Sequence, residues 1–400
     1  VFRDVATLRT EKKSFPWAAT DIALQLAYTY DRERFTDTRG NIGTGFQDLH
    51  NTTNTYSANG LLTWYLDAWH QTASFLMEER YETFRSIDMF PERRGLPSRE
   101  GPLQRRNNVI LGLQDELRLF RDALSLRPLL RYHLVHNDFG ADPTSGNVKL
   151  NVPRRNQEDF LNPSLGVKYT LLSGVALKGN VGRFTRVPTL FELFGDRGTT
   201  VGNPALQPER STNWDVGFTV EWPGEGPVNR LFFEYAYFGS DAEDIILFVQ
   251  NSQNSARAEN IGSARIRGHE LSWSVTALQH LRLFGNYTFQ DAVDTSATFS
   301  RGKALPGRPR HELHQGLELF APFGKVTYEL DYIARNFLDN VEFFVVDNRL
   351  LHNVTLTAFP FGKHLKLTLE LKNLTDNRIA DTRGFPLPGR SVFGTVEGKF

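Results

Sequence analysis

Two stretches of this chain carry side chains whose types and spacing could do chemistry. The first reads Gly-Arg-Phe-Thr-Arg-Val-Pro-Thr-Leu-Phe-Glu-Leu-Phe-Gly over 182–195, then Gly-Asn-Pro-Ala-Leu-Gln-Pro-Glu-Arg-Ser over 202–211. Glu192 and Glu209 fall near Arg183 and Arg186, so ion pairs at a rim or within a cavity are expected, or else charges that merely solvate a loop. Arg183, Arg186, Glu192, Asn203, Glu209 and, further on, Glu270 are the candidates for contact with a ligand or a neighbouring domain. The second stretch, His311-Glu312-Leu313-His314, looks at first like a zinc site. The zinc motif HExxH requires two residues between Glu and the second His, and here there is one. On a strand, His311 and His314 would also point to opposite faces, so no metal is expected. No nucleophile elbow, phosphate loop or paired-carboxylate arrangement stands out, and the absence of Cys excludes thiolate sites. No enzyme and no cofactor is read here.

The elements that must position these residues are strands. Ile22, Leu24, Leu26, Tyr28 and Tyr30 alternate with Ala23, Gln25, Ala27, Thr29 and Asp31. Leu165, Val167, Tyr169 and Leu171 precede a turn at Leu172–Gly174, and Val175, Leu177, Gly179 and Val181 follow it. The same period of two recurs to Leu365, Leu367, Leu369 and Leu371, so the chain is all-β. Pro188 ends one strand, because it cannot donate to a ladder and holds Val187 extended. Pro204 and Pro208 stiffen the leg that returns, and Gly195, Gly198 and Gly202 supply its turns.

Connections alternate in length. Short ones are read at Ala68–His70, Leu172–Gly174, Pro223–Val228, Ala277–Gln279, Ala321–Gly324 and Pro360–Lys363. Long polar ones are read at Thr36–Thr55, Ser86–Asn107, Asn137–Asn162, Arg186–Ser211, Asp241–Ser263, Asp291–Arg310, Asn336–Asn348 and Asn377–Arg390. An antiparallel up-and-down sheet with every long loop on one side gives this pattern, as outer-membrane barrels do. A sandwich has no reason to keep it, and no propeller repeat of ~40–50 residues is present. Composition is compatible: 40% of residues are hydrophobic, mean hydropathy is −0.39, and no stretch approaches the ~20 apolar residues of a membrane helix. A barrel looks this bland because only every second strand residue meets lipid. Lys and Arg number 46 against 46 Asp and Glu, which argues against a nucleic-acid partner. Aromatics such as Tyr28, Trp222, Tyr235, Tyr237 and Phe289 lie near strand ends, where interfacial girdles belong. The segment Ser391–Phe400 puts Val392, Val396 and Phe400 on one strand face, an ending expected to close a barrel on a terminal aromatic. Sixteen strands are expected, about, or one more if Val1–Thr10 is a strand; that count fits a complete porin-like channel or part of a 22-stranded barrel.

Local motifs decide between the two. The segment 182–211 resembles TonB-dependent outer-membrane receptors, in which a strand ends in Phe-Arg-x-Pro-x-x-x-Glu-Leu and the return leg carries Asn-Pro-x-Leu-x-Pro-Glu. Arg186, Pro188, Glu192 and Leu193 match the first half, and Asn203, Pro204, Leu206, Pro208 and Glu209 the second. Asn260 with Gly268 and Glu270, the run Pro306–His311, and Asn373–Asp376 with Gly384–Pro386 and Pro388–Arg390 follow in the family's order. The motifs cover 162–400; the earlier part matches by strand pattern alone.

The resemblance implies a transmembrane β-barrel in the outer membrane of a Gram-negative bacterium. It would bind a scarce small-molecule ligand, such as the metal–siderophore complexes of iron uptake, and import it with energy from the TonB–ExbB–ExbD complex. Its partners would be outer-membrane lipid, that ligand, and the coupling complex. Receptors of this family also carry a plug domain, a short TonB box and first strands, none of which precedes Val1, so residues 1–400 are expected to be a partial barrel. Haem receptors place a His between the motif halves; Thr189–Gly202 has none, which points away from haem. Loop histidines elsewhere keep it open, and siderophores, cobalamin, nickel chelates and carbohydrates remain. A passive porin and a secreted all-β binding protein stand as alternatives.

Overall fold

The computed structural model describes residues 1–15, 19–40, 46–94, 99–140, 155–196, 200–224, 226–250, 256–382 and 385–398. In chain order the strands are β1 (Phe2–Phe15), β2 (Thr20–Asp37), β3 (Gln47–Leu66), β4 (Gln71–Asp88), β5 (Gln104–Leu119), β6 (Leu124–Phe139), β7 (Arg155–Leu172) and β8 (Val175–Arg186). The single α-helix among the described residues, α1 (Leu190–Phe194), comes next, followed by β9 (Thr200–Val201), β10 (Glu209–Trp222), β11 (Val228–Glu243), β12 (Ile246–Gln250) and β13 (Ala256–Asn260). Then come β14 (Ser263–Ala277), β15 (Leu281–Asp294), β16 (His311–Ala321), β17 (Gly324–Ala334), β18 (Asn336–Phe337), β19 (Val345–Val346) and β20 (Arg349–Ala358). The series ends with β21 (Leu365–Lys372), β22 (Ala380–Thr382), β23 (Phe385–Pro386) and β24 (Ser391–Gly398). Seventeen of these belong to one sheet, β1 among them. Among the described residues no helix is long and apolar enough to cross a membrane, which says nothing of strands.

The chain divides into two compact units. The first comprises Val1–Gly166, Gly182–Thr212 and Ala242–Ile261. There β1 to β6 pair antiparallel, each with the next. The registers stack Leu26 on Ala58, Tyr28 on Tyr56 and Tyr56 on Tyr81, so one face is apolar and aromatic. Leu24, Leu26, Met77, Leu113 and Leu130 are exposed on it. A water-soluble sheet would cover such side chains; apolar residues left uncovered over many strands need an apolar surrounding.

The second unit comprises Val167–Val181, Asn213–Asp241 and Gly262–Phe400. Here β14, β15, β16, β17, β20, β21 and β24 pair in turn. One face runs Leu283, Leu317, Tyr328 and Val354 across four strands, then Leu356, Leu369 and Gly394. The opposite face is charged and internally paired. Glu318 accepts from Lys325 Nζ at 2.7 Å and Arg282 Nη1 at 3.2 Å, and Lys366 reaches Glu397 at 2.8 Å. Strict period-two alternation therefore becomes one oily and one polar surface per unit.

The expected connections are trimmed rather than moved. The long stretch read at Thr36–Thr55 shrinks to 38–46, because β2 and β3 keep pairing through Arg34 and Asp48, which bond at 2.9 and 2.8 Å. Ladder hydrogen bonds do not require apolar side chains, so strands outrun their hydrophobic signal. A further tight turn joins β5 to β6, where Phe120, Arg121 and Asp122 adopt φ of 53, 57 and 66°. It carries no Gly or Pro, so the sequence left it unmarked.

Candidate functional site

The motif segment folds into a packed structure of its own inside the first unit. After β8 the chain meets Pro188, and Thr189 caps α1. The Thr189 hydroxyl accepts from the Glu192 N–H at 3.1 Å, and the Glu192 carboxylate accepts from the Thr189 N–H at 2.7 Å. This reciprocal capping box satisfies two helix-end donors and explains a helix of five residues that has little propensity to stand alone. Gly195 ends it at φ 67°, donating to Phe191 O at 2.7 Å; a Cβ there would meet Thr200 O at 2.2 Å. Leu190 and Leu193 turn inward onto Phe84, Phe139, Leu206, Ile246 and Ala258, forming a small core. Phe84 and Phe139 come from the ends of β4 and β6, so the segment is seated on the strands rather than hung from them.

Arg186 organises the charges. Its Nη1 donates to Glu192 at 3.0 Å, while Nε and Nη2 donate to the two oxygens of Glu209 at 2.7 and 2.6 Å. The side chains of Glu192 and Glu209 are only 12% and 21% exposed, so the fork is shielded from water and worth more than a surface pair. Glu209 also accepts the Ile246 N–H at 2.7 Å. Asn203 closes the return leg: its amide donates to Ala258 O at 3.0 Å, its own N–H to Glu192 O at 2.9 Å. Asn260 accepts the Gln207 N–H at 2.9 Å and donates to Gln207 O at 3.0 Å.

One residue of this site was not foreseen. Arg106, the third residue of β5, is buried, donates from Nε to Asn137 Oδ1 at 2.7 Å, and donates from Nη1 to the Pro188 carbonyl. It lines a cavity of about 240 Å³ with Asn137, Asn156, Glu158, Pro204 and Leu206. Eighty-two positions separate Arg106 from Pro188, and no local signal links them. The helix α1 was also unforeseen, although Thr189 and Glu192 carry the capping-box spacing.

The remaining sequence candidates divide between this site and other places. Arg183 is exposed and, three residues from Arg186 on a strand, faces the other way; it enters none of these pairs. Pro204 and Pro208 line the same cavity as Pro188. Glu270 belongs to the second unit, exposed on β14 opposite Thr288. Phe400 lies outside the described residues. His311 hydrogen-bonds Tyr287 and His314 bonds Asp331, two partners on two faces of β16.

A second loop pair, in the second unit, is built differently. Glu342 accepts from Ala304 N–H at 2.9 Å and Lys303 Nζ at 3.1 Å, tying the 295–305 stretch to the 338–344 stretch. The backbone N–H of Ala304, and then the Lys303 ammonium, hold the Glu342 carboxyl below its ordinary range. Asp339 accepts from the Phe343 and Phe344 N–H groups at 2.9 and 3.2 Å. At the tips, Phe299 is 80% and Phe343 76% exposed.

Comparison with known proteins bears on all of this. A family model described as TonB dependent receptor-like, beta-barrel, matches residues 3–374. The metal-pseudopaline receptor CntO of Pseudomonas aeruginosa (strain UCBPP-PA14) is 23% identical over 207 residues, 51% of this chain and 27% of that receptor. Among solved structures, the copper transporter OprC superposes with a TM-score of 0.75 at 16% identity, over 100% of this chain and 65% of that one. The FrpB iron transporter from Neisseria meningitidis (F5-1 variant) gives 0.74 at 16% identity, over 100% and 64%. BauA, the ferric preacinetobactin receptor from Acinetobacter baumannii, gives 0.71 at 14% identity, over 98% and 62%. The chain thus spans less than two thirds of each relative, and at these identities the likeness is of the antiparallel barrel fold alone.

Proposed function

The chain belongs to the TonB-dependent receptor β-barrel family, and from that premise we propose that it is the membrane-spanning part of an outer-membrane importer. The family is one of receptors and transporters, not of enzymes. The cargo is a scarce metal held by a small chelator, most simply a metal–siderophore complex. The full-length protein draws its energy from the TonB–ExbB–ExbD complex through a plug domain carried outside these 400 residues. The observation that carries the reading is the match of the barrel model over 3–374 to a sheet whose faces divide into oil and charge. In this reading the exposed apolar face meets lipid, and the long connections meet the ligand.

Deleting the full-length gene from its host should abolish uptake of a radiolabelled ferric siderophore under iron limitation, and the intact gene should restore it. Uptake that survives collapse of the proton-motive force would sink the energised mechanism and return the porin reading. Membrane embedding has its own test. Leu367, 37% exposed on the apolar face, should not tolerate arginine, which costs roughly 2–4 kcal/mol at a bilayer midplane. Lys366→Leu, on the paired polar face, should fold normally in bilayers; equal yields of the two variants would reject the face assignment.

A further inference from the structure

Three Tyr–His hydrogen bonds recur across the apolar face of the second unit. Tyr235 bonds His269 Nδ1 at 2.8 Å, Tyr287 bonds His311 Nδ1 at 2.8 Å, and Tyr328 bonds His352 Nδ1 at 2.7 Å. The last two share one geometry. Tyr287 stands opposite Leu313 and Tyr328 opposite Val354, and each His lies two residues along from that partner. His269 stands opposite Phe289, and Phe289 opposite His311. The imidazoles therefore project from the same surface as Leu283, Leu317, Val326 and Leu356. His269 and His311 are in line through Phe289, while His352, opposite Leu330 and so in line with Gln315, lies four residues further along the sheet.

Ring contacts join the first two pairs and their neighbours into a band, and Tyr328–His352 forms a separate pair beside it. Trp214 lies 5.3 Å from Tyr237, Tyr237 4.9 Å from His269, His269 6.2 Å from Phe289, and Phe289 5.4 Å from His311. Aromatic bands of this kind mark the edge of the hydrocarbon layer. Histidine in such a band needs a further reason. A neutral imidazole carries one N–H and a tyrosine one O–H, and their mutual bond uses only one of these hydrogens. Whichever group donates within the pair, one donor is left over, and no other described protein group accepts it. Left in hydrocarbon, each would cost several kcal/mol. Beyond His269 on the same face stands Arg267, held 5.3 Å over the Trp214 ring. It is ion-paired with Asp241 at 2.7 Å and donates from Nη1 to Ser240 O at 3.1 Å, which leaves its Nε–H over.

We propose that this band is a docking site for lipid-headgroup phosphate, with the leftover Tyr–His hydrogens and the Nε–H of Arg267 as its donors. A phosphate oxygen is the strongest acceptor available at that depth, and its charge shortens and strengthens such bonds. The proposal rests on the membrane reading above and adds what the belt binds.

The test uses the full-length protein in maltoside micelles, offered dioleoyl phosphatidic acid or dioleoylglycerol, which differ by the phosphate alone. Lipids retained are counted by native mass spectrometry. Wild type should retain the phosphorylated lipid in preference, by about tenfold per occupied pair, the worth of a hydrogen bond to a charged group. The variant His269→Phe/His311→Phe/His352→Phe keeps the rings and should lose the preference. Should the triple variant fail to fold, His311→Phe alone should lower phosphatidic acid retention measurably while total strand content stays constant. Equal retention of the two lipids by wild type, or an unchanged preference in the His variants, overturns the proposal and leaves the membrane reading standing. A protein that stays dispersed without detergent and retains neither lipid overturns both.

Discussion

The two long-connection regions share a polar composition and differ in what holds them. The 186–209 segment is anchored by a core, a bidentate arginine and two asparagine clamps, and its side chains mostly face inward. The loops at 295–305 and 338–344 are held internally by the carboxylates of Asp294 and Asp339, are tied to each other by Glu342, and hold Phe299 and Phe343 out to solvent. The first region spends its residues on shape and the second on presentation. A loop's function therefore cannot be judged from its length and polarity; what decides is whether its apolar residues find a shared core. In the importer reading, the locked segment is a fixed fitting seated on the strands, and the Phe-tipped loops are the surface free to meet a ligand.

That contrast can be broken by substitutions of graded severity. Leu193→Ala should have the largest effect, since Leu193 is 3% exposed within the small core and such truncations cost about 2–5 kcal/mol. Hydrogen exchange should then accelerate over 189–209 and leave β14 to β17 protected; uniform acceleration would show that the segment is not a separate cooperative unit. Arg186→Leu comes next, at about 2 kcal/mol. It strands two largely shielded carboxylates, but Arg186 is itself 43% exposed, so the full cost of a buried pair is not reached. Arg186→Lys should recover only part of the loss, because an ammonium cannot serve both oxygens of Glu209 in a fork. Limited proteolysis within 196–202 reads both variants.

Smaller effects belong to the second region. Asn203→Ala, still in the locked segment, should cost about 1–2 kcal/mol through the Ala258 bond. By contrast Phe343→Ser should change stability by less than about 0.5 kcal/mol while lowering ligand uptake; a large loss of stability would mean the tip is packed. The pH dependence is the mildest and most specific sign. Glu342 is held below its ordinary value of 4.5, so its contribution is present above that value and is lost as pH falls through the lower folded value. Protease access to 338–344 should therefore rise on acidification below about pH 4.5, and Glu342→Gln should flatten the response. A response unchanged by that substitution would assign it to another group.

The amino-acid sequence by itself determined the all-β character, the two faces of the strands it marked, and most of the short and long connections, the turn at 120–122 excepted. Those properties are local: alternation has a period of two, and Leu367 or Val396 is placed by its immediate neighbours. The motif residues Arg186, Glu192 and Glu209 were legible too, because they sit within one short stretch of chain. Only the tertiary structure decided which arginine joined them. Arg183 and Arg186 read alike in sequence, and strand parity with the seating of α1 separates them. Arg106 was out of reach for the same reason in stronger form, since its partner Pro188 is brought to it by pairing across several strands. The Tyr–His pairs follow suit: each His looks like any strand residue until register sets it diagonally beside a tyrosine. Local periodicity is written in adjacent residues, whereas charge pairing and donor satisfaction depend on distances that exist only once the sheet has fixed its register.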